Sequence, residues 1–353
     1  MKVISEPSPE STSESSPKPT PQPLPELTTE PTSVSTQEST TEPTSEPTPN
    51  ATAESTPEPS PEPTPELPPH VPELNVDYIV IKGVEYSTSL TELLLSGPDV
   101  RVDSINPSYE DYILCDEDIV PLQYMTNLKE LHFTDCDVTD WTPIAGLTNL
   151  TTLTMYQCNA RDTTFLANLT NLTTLDFFNC YVENIAPLSG LKNLRVLSLA
   201  ANRITDISPL AGLTDLEELW MGGNQITDWS PISGSKNLTT LNLANNSIYD
   251  VAWITGLTNL AILNLSHNQI VDLEPISRLV DLTSLYLSVN EISDIEPLSY
   301  LSSLIKLSIS HNQITDISPL TALTKLKEVD LSNNLISDWS PVRRVERVWG
   351  RPN

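Results

Sequence analysis

A 22-residue period fixes what this chain can become. Leu191 to Gly212 reads LKNLRVLSLAANRITDISPLAG, and Leu213 to Gly234 reads LTDLEELWMGGNQITDWSPISG. Ten units hold the register, starting at Met125, Leu147, Leu169, Leu191, Leu213, Ser235, Leu257, Leu279, Leu301 and Leu323. Self-similarity at a fixed period of this size demands a stack of like units. One unit cannot bury its leucines alone. Stacked, the units share one continuous core.

Within a unit the apolar spacing dictates the local path. Leu197 and Leu199 are two apart, a strand period, so both point inward and Ser198 points out. Spacings of three elsewhere fit a coil that turns corners. Asn202 falls at the first corner, where its amide can satisfy backbone groups the turn leaves unpaired. Ser208-Pro209 reads as a helix start, with Ser at the N-cap and Pro at the first helical position. Few residues remain, so that helix is one short turn, of the 3₁₀ kind. The LxxLxLxxN wording is that of the leucine-rich repeat. The expected fold is therefore an α/β solenoid. It is a horseshoe with a parallel β-sheet on the concave face and short 3₁₀ or helical turns on the convex face.

Composition divides the chain. Residues 1–73 hold 19 of its 31 prolines and contain no glycine, cysteine or aromatic residue. Too few large apolar groups exist there to offset chain entropy, so residues 1–74 are expected to form a disordered Pro/Thr/Ser/Glu-rich linker. The formal net charge is −29, of which −11 comes from this segment (13 Glu against two Lys). Acidity in both parts argues against nucleic acid and anionic membrane as partners. No transmembrane stretch is visible, and Met1-Lys2-Val3-Ile4 runs straight into polar sequence without the apolar run of an export signal. An extracellular or surface-anchored protein would then carry that signal upstream of Met1.

Residues 75–124 read as an N-terminal cap. Tyr78–Ile81 and Val84–Tyr86 flank Lys82-Gly83, a tight hairpin. Leu90, Leu93 and Leu95 form a divergent first coil, followed by an irregular insertion from about Gly97 to Leu114. The ten repeats occupy 125–344, and 345–353 form the C-terminal cap. From Val342 onward the register breaks. Val342, Val345, Val348 and Trp349 are expected to cover the last coil, with Arg343, Arg344, Arg347 and Arg351 outward.

The half-repeats Asn202 to Leu210 and Asn312 to Leu320, of the form Asn-x-Ile-x-Asp-Ile-x-Pro-Leu, closely resemble the 22-residue repeats of internalin-like bacterial surface proteins. The resemblance spans about residues 78–353. It implies an exported, non-catalytic protein that binds another protein through its concave sheet, and a wall-spanning role for the acidic, proline-rich segment. An Ig-like module after the repeats and cell-wall anchoring repeats, both known in that family, are not seen.

Cys136, Cys158 and Cys180 are spaced by 22 and occupy the position that later repeats fill with Asn202, Asn224, Asn246, Asn268, Asn290, Asn312 and Asn334. Adjacent rungs lie about 4.8 Å apart, whereas disulfides prefer about 3.5–4.5 Å at Cβ. Free, buried thiols are expected; Cys115 stands apart in the cap. An aspartate column (Asp140, Asp162, Asp206, Asp228, Asp250, Asp272, Asp294, Asp316, Asp338) precedes each convex turn and is expected to accept backbone N–H bonds there rather than hold calcium. Neither a metal nor a cofactor is expected. His267 and His311 stand two rungs apart, and no Ser/His/Asp grouping, phosphate loop or HExxH appears. No enzymatic activity is expected.

Trp141, Trp229 and Trp339 share the core position of Ile207. Trp220 and Tyr286 share the outward position of Ser198, and Tyr156 and Phe178 occupy the next outward position. Tyr181 is placed at the edge of the same patch. Clustered exposed aromatics on a concave surface are typical of a binding hot spot. The candidate ligand-binding residues are Tyr156, Phe178, Trp220 and Tyr286, with Asp176, His132 and Arg195 as polar neighbours. The expected partner is another protein, engaged by a monomer. The alternatives are a cell-wall or other glycan held by the same aromatics, and a cytosolic regulatory subunit, since phosphatase-regulating proteins also use 22-residue repeats.

Overall fold

The computed structural model describes residues 77–96 and 113–352; residues 1–74 and nearly all of the insertion after Ser96 lie outside the described residues. The described chain opens with a hairpin of β1 (Tyr78–Ile81) and β2 (Val84–Ser87), paired Tyr78 to Ser87 and Ile81 to Val84. Its two-residue turn, Lys82-Gly83, has both φ angles positive, at 49° and 78°. That geometry matches the right-handed twist of the strands, and glycine takes it without steric cost. Ile79 and Ile81 point into the core.

Next come β3 (Glu92–Ser96) and a single turn of helix, α1 (Asp116–Ile119), which runs into a 3₁₀ turn at Val120–Tyr124. Lys82 Nζ meets Asp118 Oδ2 at 3.0 Å and ties the hairpin to α1. Cys115 precedes α1, and its Sγ donates to Asp118 Oδ2 at 3.0 Å. This hydrogen bond pushes the Cys115 thiol up to about 11.

Twelve strands then form one parallel sheet in strict sequence order. After β3 come β4 (Glu130–Thr134), β5 (Thr152–Tyr156), β6 (Thr174–Phe178), β7 (Val196–Ser198) and β8 (Glu218–Trp220). They are followed by β9 (Thr240–Asn242), β10 (Ile262–Asn264), β11 (Ser284–Tyr286), β12 (Lys306–Ser308), β13 (Glu328–Asp330) and β14 (Arg347–Trp349). With the short 3₁₀ turns on the opposite side, this is a leucine-rich-repeat solenoid. Leu197, Leu219 and Leu241 stack across adjacent strands, each at most 1% exposed.

Strands β4 to β13 each leave the sheet through one residue with positive φ, at 22-residue intervals from Asp135 through Ala201 and Gly223 to Asn333. The asparagine corner follows. Asn202 Oδ1 accepts from the Cys180 and Val182 N–H groups at 3.0 Å each, and Nδ2 donates to Phe177 O at 2.7 Å and Leu199 O at 2.9 Å. One amide thus serves backbone groups of its own coil and of the coil before it, which is why the position repeats. The aspartate column does the work expected of it. Asp206 Oδ1 accepts the Ser208 N–H at 2.8 Å, and Asp140, Asp162, Asp228, Asp250, Asp272, Asp294, Asp316 and Asp338 repeat the bond at 2.8–3.0 Å.

Three expectations need correction. First, Ser208 is not the N-cap. Ile207 holds that place without a side-chain bond, Ser208 is the first helical residue, and the Asp206 carboxylate receives the exposed N–H instead. Second, Cys136 and Cys158 are joined as a disulfide, with Cα atoms 5.0 Å apart. The expectation of free thiols carried strand geometry into a corner. Beyond the left-handed residues Asp135 and Gln157 the side chains are no longer held parallel, and 5.0 Å lies inside the Cα range of disulfides. Cys180 remains free and buried, its Sγ 3.1 Å from Met155 O, and burial pushes its thiol up to about 11. Third, Trp349 does not cover the last coil. It stands on the sheet in register with Asp330, 47% exposed, while Val342, Val345 and Val348 pack against the core. Trp141 and Trp229 are buried as expected; Trp339, in the last coil, is only partly so.

Candidate functional site: the outward face of the parallel sheet

The outward face is organised in columns by the register. The central column reads Leu94, His132, Thr154, Asp176, Ser198, Trp220, Asn242, Asn264, Tyr286, Ser308, Asp330 and Trp349, one residue per strand from β3 to β14. β4, β5 and β6 are five residues long and add a second outward position, filled by Thr134, Tyr156 and Phe178. These are the strands whose corners carry cysteine. From β7 onward asparagine holds the corner and each strand up to β13 is three residues long.

The structure brings Tyr156, Phe178 and Asp176 together. The rings of Tyr156 and Phe178 are 5.9 Å apart at their centroids, and Tyr156 Oη donates to Asp176 Oδ2 at 2.7 Å. That bond pushes the Tyr156 phenol up to about 12. Asp176 Oδ1 is buried with no hydrogen-bond partner. His132 stands two strands away in the central column, its Nδ1 2.8 Å from Thr154 Oγ1. Trp220 stands two strands beyond Asp176 on the other side, with Ser198 between them. Tyr286 is three strands further on.

Arg195 is not on this patch. It forms an ion pair with Glu217 and lines a rim cavity with Asn171, Thr173, Asn193 and Asp215, at the entry ends of the strands. Tyr181 also lies off the face. It has φ 58°, and the Arg161 and Arg203 guanidinium carbons lie 5.6 and 5.1 Å from its ring centroid. Glu92, Glu130 and His132 offer ligand atoms within 4.8 Å of one another, two exposed carboxylates beside a half-buried imidazole, and form the one grouping of this kind among the described residues.

A second apolar region was missed from the sequence. Trp220, Leu241, Ile262 and Tyr286 line a cavity of about 300 Å³. Tyr286, Lys306, Asp330 and Trp349 line the next, of about 330 Å³, and Lys306 Nζ lies 5.5 Å from the Tyr286 ring centroid. The signal was present: Arg347-Val348-Trp349 repeats the in-out alternation of Glu328-Val329-Asp330. Its spacing of 19 rather than 22 hid it.

Polar residues of the central column have a structural duty. Asn242 Oδ1 accepts the Ala244 N–H at 3.1 Å, Asn264 Oδ1 the Ser266 N–H at 3.0 Å, and Asp330 Oδ1 the Ser332 N–H at 3.0 Å. Each fixes the chain where it leaves its strand. Trp220 and Tyr286 cannot supply that bond.

Comparison with known proteins follows the same lines. Models described as "Leucine Rich repeats (2 copies)" match residues 170–212, 192–234, 236–278, 258–300 and 302–344, and one described as "Leucine Rich repeat" matches 124–140. The crystal structure of an internalin, InlF, from Listeria monocytogenes is similar at 29% identity over 71% of this chain and 91% of that one, with a TM-score of 0.51. Internalin C2 of the same species is 39% identical over 52% of this chain and 82% of its own, with a TM-score of 0.49. A leucine-rich-repeat protein of Leptospira interrogans is 22% identical over 65% of this chain and 74% of that one, with a TM-score of 0.51, a likeness of fold. No curated protein matches.

Proposed function

For a chain that belongs to the leucine-rich-repeat proteins and is internalin-like in its repeats, we infer that the outward sheet face binds a partner protein. Leucine-rich-repeat domains mediate protein–protein interaction. The finer reading is a non-catalytic, monomeric module displayed outside the cell, with residues 1–74 as a spacer and no cofactor.

The observation that carries it is the exposure of Tyr156 (41%), Phe178 (39%) and Trp220 (36%) on a face where the repeat needs no apolar residue. Large exposed aromatics favour association unless a partner covers them. Buried in a complex, each contributes about 2 kcal/mol or more. Asp176 and His132 supply polar contacts beside them, and Tyr286 extends the surface. Arg195, on the rim, engages a partner that overhangs the strand ends. The net charge of −29 disfavours nucleic acid and anionic membrane. Among the described residues no helix is long and apolar enough to cross a membrane.

The test compares Phe178→Ala plus Trp220→Ala with Ser198→Ala plus Ser308→Ala in partner capture by the full chain. Loss with the aromatic pair and retention with the serine pair is expected; the reverse would refute the assignment. A second reading rests on Trp220, Tyr286 and Trp349, which recur at every third strand of one column with Asn242, Asn264, Ser308 and Asp330 between them. Flat apolar platforms alternating with amide, hydroxyl and carboxylate groups also suit a glycan. Retention on a glycan array without any protein partner would promote that reading.

A further inference from the structure

Away from the sheet face, two neighbouring repeats depart together from the repeat wording. Tyr249 stands where other repeats carry Thr205, Thr227, Val271 and Thr315, and Trp253 stands where they carry Pro209, Pro231, Pro275 and Pro319. Trp229 of the preceding repeat lies against Trp253, with ring centroids 6.0 Å apart and planes inclined by 28°. Tyr249 and Trp253 line a cavity of about 440 Å³ on the flank between the asparagine corner and the convex turn, together with Asp228, Asp250 and the 2% of Trp229 that the core leaves exposed. No lysine or arginine lines it.

Packing accounts for part of this arrangement only. Phe165, in the Trp253 position of an earlier repeat, is 5% exposed and stacks on the core residue Phe177. Trp253 is half-buried, and Tyr249 is 70% exposed. The site is held in shape by its own bonds. Trp253 Nε1 donates to Asp250 O at 3.2 Å. Asp228 Oδ1 accepts the Ser230 N–H at 2.9 Å and Asp250 Oδ1 the Ala252 N–H at 2.8 Å. Hydrogen bonds from the Ser230 side chain and backbone hold the Asp228 carboxyl below the usual range, so it stays ionised at neutral pH.

We propose that this cavity binds an alkylated ammonium group, as carried by a choline-type headgroup or a methylated lysine. Aromatic faces attract a cation through their quadrupoles, and indole does so best. Two carboxylates without a competing basic residue add net attraction. A primary ammonium brings three N–H donors that ring faces satisfy poorly, whereas a trimethylated one brings none.

The test uses the full chain. Choline chloride is titrated against sodium chloride of equal ionic strength while the indole N–H resonances of Trp229 and Trp253 are followed by NMR. The uncharged isostere 3,3-dimethylbutan-1-ol is titrated in parallel. Variants take residues that other repeats already carry: Tyr249→Thr, Trp253→Pro, and Asp228→Asn with Asp250→Asn, after Asn184, whose Oδ1 accepts the Ala186 N–H in the same way. Saturable shifts with choline are expected, with the isostere and each aromatic variant about tenfold weaker and the double Asn variant weakened too. Equal binding of the isostere, no choline-specific shift, or unchanged affinity in Tyr249→Thr would overturn the proposal. Nα-acetyl-trimethyllysine amide run beside choline distinguishes the two sources of the headgroup, the tighter ligand naming the source.

Discussion

Replacing Asn268 with alanine tests the corner logic on which the solenoid rests. Asn268 is 8% exposed. Its Oδ1 accepts the Ile248 N–H at 3.0 Å, and Nδ2 donates to Leu243 O at 3.2 Å, Leu265 O at 2.9 Å and Ser266 O at 3.2 Å. Asn268→Ala therefore leaves one buried N–H without an acceptor and removes a donor from carbonyls of two coils. Each buried group so stranded costs about 1–3 kcal/mol. Carbonyls keep a second lone pair and tolerate the loss better than the N–H, so a total of about 3–5 kcal/mol is expected. Asn259 is the control. It also bridges adjacent coils, Nδ2 to Lys236 O at 2.9 Å, but at an exposed site where water replaces the amide. Asn259→Ala should cost under about 1 kcal/mol. Urea unfolding followed by circular dichroism measures both. Hydrogen exchange at the Ile248 amide adds a local readout, because repeat arrays can open without unfolding globally. Equal losses from the two variants, or a neutral Asn268→Ala, would refute the reasoning.

Acid should lower the protein's stability through its depressed aspartates. The N–H groups of Asp140, Thr164 and Ser340 hold the carboxyls of Asp116, Asp162 and Asp338 below the usual carboxylate range, and the Ser230 side chain leads the same effect at Asp228. Because the folded values lie below the unfolded one, this stability is fully present above the unfolded pKa and is lost as pH falls through the folded values. Urea midpoints should be level from pH 7 to about pH 5 and drop below about pH 4; a drop confined to higher pH would contradict this. For the cysteines, the chain denatured without reductant should show two reactive thiols, Cys115 and Cys180, and four after reduction. Four thiols before reduction would show Cys136 and Cys158 to be unpaired.

What the sequence made legible was whatever the period enforces. Leu197 and its stacked equivalents, the Asn202 corner and the Asp206 turn recur because every coil must solve the same packing and hydrogen-bonding problem. Deviations from the period were harder to read. The Cys136–Cys158 bond depends on how side chains converge beyond a left-handed residue, which spacing does not encode. Trp349 reads as a cap residue because its strand arrives three residues early. Arg195 precedes the first outward position of β7, and side-chain alternation alone could not tell face from rim. The outward columns were readable as free of core duty, but not the bonds that Asn242, Asn264 and Asp330 make there.

Those bonds turn the aromatic column into a measurable compromise. Asn242 and Asn264 each accept a backbone N–H two residues on, and Trp220, in register beside Asn242, forgoes the equivalent bond. The Gly222 N–H has no acceptor among the described residues, and the indole Nε1 reaches only Glu218 Oε2 at 3.4 Å. The hydrogen-bond pattern alone favours asparagine at 220. Trp220→Asn should therefore stabilise the protein by about 0.5–1.5 kcal/mol, the net worth of one hydrogen bond, and reduce exposed apolar area. The same change should weaken partner binding by about 2 kcal/mol or more, since an anchor leaves the contact surface. Opposite signs for stability and binding in one variant are the mark of a residue kept for function at a cost to the fold. Loss of stability in Trp220→Asn would show that the indole is packing the sheet, and the aromatic face would then need no partner to explain it.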